Sequence, residues 1–147
     1  MPKLSELFHN HCLYFTSNSL ARTIAKIAEE EFKATHLSPP HAYVMMLLFD
    51  NVYVTPSILA VKLNLSPSTV TRFIDSLERQ EYIVRYSRGK ETEIRLTAKG
   101  SKLREKISNA WQKLYDRYTK VLGVSDGNEL SKDLRLATAK LSNNLRR

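Results

Sequence analysis

The sequence predicts a mainly α-helical fold that carries one small β-hairpin. Two segments place a hydroxyl residue before a proline, Thr55-Pro56 and Ser66-Pro67, which is typical of a helix N-terminus. Residues 82–86 and 93–97 then predict two short strands. Apolar residues at helical spacing continue on both sides of this block, so we expect helices to flank it.

The N-terminal part predicts two helices. Apolar residues at helical spacing run from about Ser5 to Lys33 and predict one long helix. Ser38, followed by two prolines, predicts the start of another through the apolar run from Ala42 to Phe49. This run is too short to span a bilayer, so we expect a buried core helix. No signal-type apolar run follows the N-terminus, so we expect a soluble, cytoplasmic protein without a membrane segment.

The segment after Ser66 predicts an amphipathic helix. Its apolar face carries Val70, Phe73, Ile74 and Leu77, and its opposite face carries Ser68, Arg72 and Arg79, flanked by Thr69 and Thr71. A short helix from Thr55 through Leu63 precedes it, and Asn64-Leu65 leaves only a tight turn between the two. Two short helices joined this closely predict a helix-turn-helix.

The two strands predict a hairpin with a basic tip. In the second strand, Ile94 and Leu96 share one face, while Glu93 and Arg95 share the other. The predicted turn runs from Ser87 to Glu91 and has a glycine near its tip. The segment from Arg85 to Lys90 holds positive charges and no negative one: Arg85, Arg88 and Lys90.

This order of elements is how a small protein presents a helix to the major groove of DNA and an arm to the flanking backbone. Exposed hydroxyls and an arginine suit base edges, and a basic hairpin tip suits phosphates or the minor groove. Taken singly, each feature has another interpretation, a solvated helix face or a solvated loop. The candidate DNA-binding residues are Ser66, Pro67, Ser68, Thr69, Thr71, Arg72, Arg85, Arg88 and Lys90.

Four segments in this order resemble MarR-type transcriptional regulators. They are Ser38-Pro39-Pro40-His41, Leu65 through Arg72, Leu77 through Gln80, and Leu96 through Gly100. The resemblance covers nearly the whole chain. It implies a winged helix-turn-helix in an obligate dimer, with the helix after Ser66 as reader and the hairpin as wing. It also implies an effector pocket between the DNA-binding lobe and the dimerisation helices.

The predicted organisation is a single domain over residues 1–147. Residues 38–100 form the winged helix-turn-helix lobe, and residues 1–37 and 101–147 form N- and C-terminal dimerisation helices. A chain of this length can bury one core, which agrees with a single domain.

The wing departs from the family pattern in one respect. That pattern usually has Asp-x-Arg shortly before the second strand, and the matching positions here are Arg88 and Lys90. The aspartate that commonly braces the wing arginine is therefore missing. We expect a more mobile and more positive tip, with a larger nonspecific phosphate component in DNA binding.

The C-terminal segments predict a homodimer. Residues Ser101 to Leu122 carry two apolar stripes, so this helix needs two partners. The last helix, capped near Ser125, has a coiled-coil-like seam of Leu130, Leu134, Ala137, Leu141 and Leu145. Asp126-Gly127-Asn128 is a poor composition for an early helix and predicts a frayed start. A monomeric helical bundle is the alternative.

The formal net charge of +8 favours a polyanionic partner. The charge is uneven, because residues 101–147 hold eleven basic and five acidic groups. Most of the excess therefore lies outside the predicted reader. The C-terminal helices either add positive potential near DNA or are simply solubilised by their charges.

Cys12 is the only cysteine and lies in the predicted first helix. It falls roughly where the peroxide-sensing OhrR-like branch of the family keeps its reactive cysteine, which makes it a candidate redox sensor. The tyrosines that hydrogen-bond that thiol are absent, since the matching positions fall near Lys26 and Leu37. The alternative is a small buried apolar residue.

No metal site, cofactor or enzymatic activity is expected. His9 and Cys12 share a face of a helix, but His11 projects about 200° from His9 and cannot join them. The sequence contains no zincin motif, nucleophile elbow or phosphate-binding glycine loop.

These observations predict a regulator that binds double-stranded DNA of specific sequence. We expect a repressor that acts as a homodimer on a pseudo-palindromic operator and is released by a small aromatic molecule or an oxidant. The alternative is a winged-helix protein-interaction module without specific DNA binding.

Overall fold

The computed structural model describes residues 1–146 as a mainly helical chain with one antiparallel hairpin, which confirms the predicted fold class. In chain order, the elements are α1 (Leu4–His11), α2 (Leu13–Phe32), a 3₁₀ turn (Lys33–Thr35), α3 (Pro39–Asp50), α4 (Pro56–Leu63), α5 (Pro67–Arg79), β1 (Ile83–Arg88), β2 (Glu91–Leu96), α6 (Ala98–Ser101), α7 (Arg104–Leu122) and α8 (Val124–Leu145). Packing forms two compact units, one ending at Ala110 and one beginning at Trp111. None of the helices in residues 1–146 has the length and apolar character needed to cross a membrane.

The N-terminal region is two helices, so the predicted single helix is wrong. Cys12 separates α1 from α2 and has an extended backbone, with φ −92° and ψ 111°. The ring of Phe15 lies 5.7 Å from the ring of Phe8 and 4.9 Å from that of His9, so aromatic contacts join the two helices across the break. No proline or glycine marks this position, which is why helical spacing alone predicted a continuous helix.

The core of the first unit lies where α3, α5 and the hairpin meet. The predicted core helix α3 is buried along much of its length, and α5 buries most of its predicted apolar face, with Phe73 only partly buried. The core residues that these elements supply are Ala42, Val44, Met45, Leu48, Val70, Ile74, Leu77, Ile83 and Ile94. The hairpin and the helices α3 and α5 therefore share one hydrophobic core.

A further extended segment lies beside the hairpin. Val54 exchanges two backbone hydrogen bonds with Ile94, with N–O distances of 3.0 and 2.8 Å. As a result, β2 is hydrogen-bonded to β1 on one edge and to Val54 on the other. This bridge was not predicted, although Val52-Tyr53-Val54 has strand-forming residues directly before Thr55.

Gly100 lies where the chain leaves the hairpin and enters α6. The Thr97 hydroxyl accepts a hydrogen bond from the Gly100 amide at 3.0 Å and donates one to the Glu81 carbonyl at 2.6 Å. An added Cβ at Gly100 would lie only 2.1 Å from the carbonyl oxygen of Tyr82. This close approach of backbone to backbone requires a residue without a side chain.

The C-terminal helices begin at positions other than those predicted. α7 begins at Arg104, so the predicted continuous helix from Ser101 is interrupted by a turn. α8 begins at Val124, and its N-cap is Gly123, with φ 92°, rather than a residue near Ser125. A backbone with this positive φ favours glycine, so conformation rather than side-chain capping sets the start of α8.

The predicted fraying at the start of α8 is also wrong, because Gly127 is helical and buried. A Cβ added at Gly127 would contact Thr119 at 3.5 Å and Tyr118 at 3.7 Å, both ordinary contact distances. The Tyr115 hydroxyl also hydrogen-bonds to Asn128 at 3.1 Å. Tertiary packing within the second unit therefore outweighs the poor helix propensity of this segment.

Alanine substitutions at the two buried glycines should have opposite effects. Gly100→Ala should lower the free energy of unfolding by about 2–3 kcal/mol, because the new Cβ overlaps backbone that cannot shift freely. Gly127→Ala is the control, since its Cβ fits and alanine is favoured over glycine in a helix by about 1 kcal/mol. Urea unfolding followed by circular dichroism measures both. Equal stability of the two variants would contradict the prediction.

Candidate nucleic-acid interface

A tight turn joins α4 to α5 and forms the predicted helix-turn-helix. Thr55 caps α4, because its Oγ1 accepts from the Ile58 amide at 3.3 Å. Asn64 has a left-handed backbone, with φ 51°, and ends α4. Ser66 accepts from the Thr69 amide at 3.3 Å, which confirms the predicted N-cap of α5.

The start of α5 presents a polar surface to solvent. Ser68, Thr71 and Arg72 are exposed, Thr69 is partly buried, and Ser66 and Pro67 are exposed at the helix start. The Ser66 hydroxyl contacts the hydroxyls of Ser68 at 3.1 Å and Thr69 at 2.9 Å, while Thr71 donates to the Pro67 carbonyl at 3.0 Å. Within residues 1–146, Arg72 has neither an ion pair nor a hydrogen-bonded partner. Its guanidinium is therefore free to bind a ligand.

The hairpin has a tighter turn than predicted. Strand pairing extends to Arg88 opposite Glu91, so only Gly89 and Lys90 remain as the turn. Gly89 has φ 59°, a conformation that two-residue hairpin turns require. Arg88 and Lys90 are exposed at this tip, and Lys90 borders a cleft of about 260 Å³ that Thr55 at the start of α4 also lines.

Arg85 does not lie at the tip with Arg88 and Lys90. Its guanidinium forms ion pairs with both Asp75 and Glu78 of α5. The side chains of a strand alternate between faces, so Arg85 shares the inner, helix-facing side with Ile83. Arg85, predicted as a DNA-binding residue of the wing, therefore ties the hairpin to α5.

The outer face of the hairpin carries a buried carboxylate. The Glu93 side chain is only 7% exposed, and it lies between the guanidinium groups of Arg95 and Arg88. Arg95 also packs over the rings of Tyr53 and Tyr86, at 5.9 and 5.2 Å from their centroids. Glu93 on β2 therefore supplies a carboxylate partner to Arg88 and Arg95, whereas Lys90, at the position of the family's wing arginine, has no ion pair among the described residues.

His41 connects α3 to α5. Its ring lies 4.5 Å from the ring of Phe73 on α5, and its Nδ1 hydrogen-bonds to the Ser38 hydroxyl. Burial lowers the pKa of His41 from its ordinary value of 6.5, because the charged imidazolium loses hydration. Ser38 is the predicted N-cap of α3, but its side chain contacts this imidazole and no backbone amide.

Cys12 lies outside any helix, which corrects its predicted position within the first one. Its thiol is partly buried and forms no disulfide, and its carbonyl accepts from the amide of Thr16 at 3.1 Å. The predicted shared face of His9 and Cys12 is lost, because the helix ends between them. Across the described part of the chain, His, Cys, Asp and Glu form no cluster of three or more that could hold a metal ion.

Comparison with known proteins shows what the segment around the helix-turn-helix is similar to. The model of the MarR family matches residues 37–89, which include α3, the helix-turn-helix and β1. Over this segment, the chain is similar to the MarR family. The HTH-type transcriptional regulator MntR of Shouchella clausii (strain KSM-K16) is 32% identical over 83 residues, which cover 56% of this chain and 55% of that protein. The chain thus spans about half the length of this curated relative.

Two solved structures share the fold over most of the chain. A mutant of MarR from E. coli complexed with operator DNA has a TM-score of 0.78 at 17% identity and covers 92% of this chain and 99% of its own. CouR from Rhodococcus jostii RHA1 bound to p-coumaroyl-CoA has a TM-score of 0.73 at 19% identity, with coverage of 84% and 88%. The resemblance to MarR-type regulators and the winged-helix fold are confirmed. The curated relative MntR is a transcriptional regulator, which agrees with the expectation of a regulator rather than an enzyme.

Acidification should destabilise the His41–Phe73 contact. Because the folded-state pKa of His41 is lowered, the unfolded chain binds more protons as the pH falls below about 6.5, and folding stability decreases there. The free energy of unfolding, measured in urea at pH 7.5 and pH 5.5, should therefore change less in His41→Gln than in the unsubstituted protein. His11→Gln, which replaces an exposed histidine, serves as the control. An unchanged pH dependence in His41→Gln would contradict this assignment.

Proposed function

We propose that this chain is a transcriptional regulator that binds a defined sequence of double-stranded DNA. The observation that carries the proposal is the exposed polar start of α5 beside the basic hairpin tip, within a segment that matches the MarR family. MarR-family transcriptional regulators bind DNA, and the E. coli relative has been solved with its operator. Binding to chromosomal DNA gives the protein a cytoplasmic location.

In this proposal, α5 enters the major groove with its first two turns. Ser68 and Thr71 offer hydroxyl groups to base edges, and Arg72 offers a guanidinium without an intramolecular partner. Thr69 is partly buried, and its hydroxyl contacts that of Ser66. The helix start therefore lies at the phosphate backbone, where Thr69, Ser66 and Pro67 determine how deeply α5 enters the major groove.

The hairpin is the wing in this proposal. Arg88 and Lys90 contact phosphates or enter the minor groove beside the reader. Arg85 is not among these contacts, because Asp75 and Glu78 already pair its charge. The electrostatic part of DNA binding by the wing therefore comes from two cations at the tip.

A homodimer supplies the second reader. Along the predicted seam of α8, Leu130, Leu141 and Leu145 are exposed, by 39%, 55% and 86% respectively. On α1, Leu4 and Phe8 are also exposed. Apolar side chains in such numbers favour an interface, and we propose a second copy of this chain as the partner. Two readers related by a dyad require a pseudo-palindromic operator with half-sites about one helical turn apart.

Repression released by a signal completes the proposal. CouR has been solved bound to p-coumaroyl-CoA, which supports a small aromatic effector for this chain. An oxidant is the second signal, and Cys12 is its proposed target because it lies at the junction of α1 and α2. Oxidation would enlarge this side chain and make it more polar. Either signal would shift the population from DNA-binding to nonbinding dimers.

Selection from a randomised duplex pool at near-physiological salt tests this function. We expect enrichment of a pseudo-palindromic sequence, because two dyad-related readers bind two half-sites. Enrichment that peroxide abolishes and reductant restores would support Cys12 as a sensor, provided that Cys12→Ser remains bound in peroxide. Absence of enrichment, without peroxide and with it, would contradict specific DNA binding and favour the protein-interaction module.

Arg72→Ala should cost about 1–3 kcal/mol on the selected sequence and relax preference at one base position. The reason is that Arg72 is the unpaired guanidinium on the exposed start of α5. Arg79→Ala is the matched control, since it removes the same charge at the opposite end of α5. Fluorescence anisotropy on the selected site and on single-base variants measures both. A uniform loss across all duplexes for Arg72→Ala would instead assign Arg72 to phosphate.

A further inference from the structure

We propose that Glu93 is a positioning residue that holds the Arg88 guanidinium in place for DNA phosphate. This inference rests on the proposed DNA binding and assigns a role to an acidic residue in a basic wing. Glu93 lies on β2 with its side chain on the outer face of the hairpin, where its strand partner is Tyr86. At that position an ordinary hairpin residue would be solvated, yet the Glu93 side chain is only 7% exposed.

The two carboxylate oxygens of Glu93 have different partners. Oε2 accepts hydrogen bonds from Arg95 Nη2 at 2.6 Å and Nε at 3.2 Å. Oε1 faces Arg88, with a distance of 3.9 Å to its Nε. Because Arg95 already holds Oε2, the carboxylate has a fixed orientation, and Oε1 remains directed at the strand that carries Arg88.

This arrangement leaves the functional end of Arg88 open. The carboxylate lies beside Nε, at the base of the guanidinium, while the Arg88 side chain as a whole is 75% exposed. In residues 1–146, Glu93 is the one ion-pair partner that the structure gives to Arg88. The planar end of the guanidinium therefore faces solvent, which is the geometry that bidentate binding of phosphate requires.

The rings of Tyr53 and Tyr86 border this cluster on the side of Arg95. They pack against the Arg95 guanidinium, and Arg95 in turn lies on the Glu93 carboxylate. A carboxylate that has lost its water must be paired, so the attraction between Glu93 and both arginines is less screened than at an open surface. The outer face of the hairpin thus becomes a support for Arg88.

Simple electrostatics predicts the opposite effect for an acidic residue in this position. A negative charge near the tip repels DNA, so its removal should strengthen binding. Glu91 provides the matched case, because it is exposed at the same tip, opposite Arg88, and has no ion-pair partner among the described residues. A positioning role therefore predicts that neutralising Glu93 weakens DNA binding, whereas neutralising Glu91 leaves it unchanged or strengthens it.

The test compares E93Q and E91Q by fluorescence anisotropy on one duplex across a range of salt concentrations. We expect E93Q to bind about fivefold more weakly, with a shallower salt dependence, because one phosphate contact is lost. E91Q should bind as tightly as the unsubstituted protein or more tightly. If E93Q also binds as tightly or more tightly, the positioning role is wrong while DNA binding stands. If the unsubstituted protein binds no duplex, both proposals fail.

A double-mutant cycle separates positioning from general destabilisation. In the Arg88→Ala background, E93Q should have no further effect on affinity, since the group that it positions is absent. An equal loss in both backgrounds would mean that Glu93 acts through the fold alone, which would overturn the proposal. If circular dichroism shows that E93Q is unfolded, Glu93→Asp replaces it in the same cycle. This variant keeps the charge but shortens its reach. No further loss of affinity in the Arg88→Ala background would support positioning, and an equal loss in both backgrounds would overturn it.

Discussion

The packing of the hairpin's inner face against α5 is the constraint on which the other features depend. Ile83 and Ile94 are buried on this inner face, and each contributes about 1.5–3 kcal/mol of apolar burial. Arg85 adds a polar connection to Asp75 and Glu78 on the same helix. Because side chains alternate along a strand, burying the inner set also fixes which residues occupy the outer face.

Ion pairing on both faces of the hairpin divides the basic residues of the wing into two classes. Arg85 and Arg95 are paired with carboxylates and hold structure together, whereas Lys90 and the end of Arg88 face solvent. The net charge of +8 therefore does not show which basic residues this surface offers to a polyanion. Ion pairing in the folded chain, rather than composition, determines where an anion is attracted.

Local signals in the sequence were sufficient for the helix-turn-helix. The caps at Thr55 and Ser66 and the apolar spacing of α5 depend on neighbours within a few residues, so they could be predicted. The partners of Arg85 could not, because they lie seven and ten residues away and meet it only after the hairpin folds back. The contact of Arg95 with the Tyr53 ring likewise depends on tertiary structure, because the two residues are far apart in sequence.

Two mistaken predictions have a common physical cause. The break at Cys12 and the helical start around Gly127 both follow from side-chain packing that composition does not reveal. Aromatic rings from both helices meet at the first position, and tyrosine and threonine side chains cover the second. Propensity is a weak signal in such places, because a single favourable contact outweighs it.

The Val54–Ile94 bridge has a mechanical consequence for the wing. It attaches β2 to the body of the lobe near the base of the hairpin, while the last strand pair, Arg88 and Glu91, has only the two-residue turn beyond it. The hairpin is therefore held by more backbone hydrogen bonds at its base than at its tip. In the proposed DNA complex, the base of the hairpin would keep its angle to α5 while the tip follows variations in groove width, so local duplex shape would be read as elastic energy.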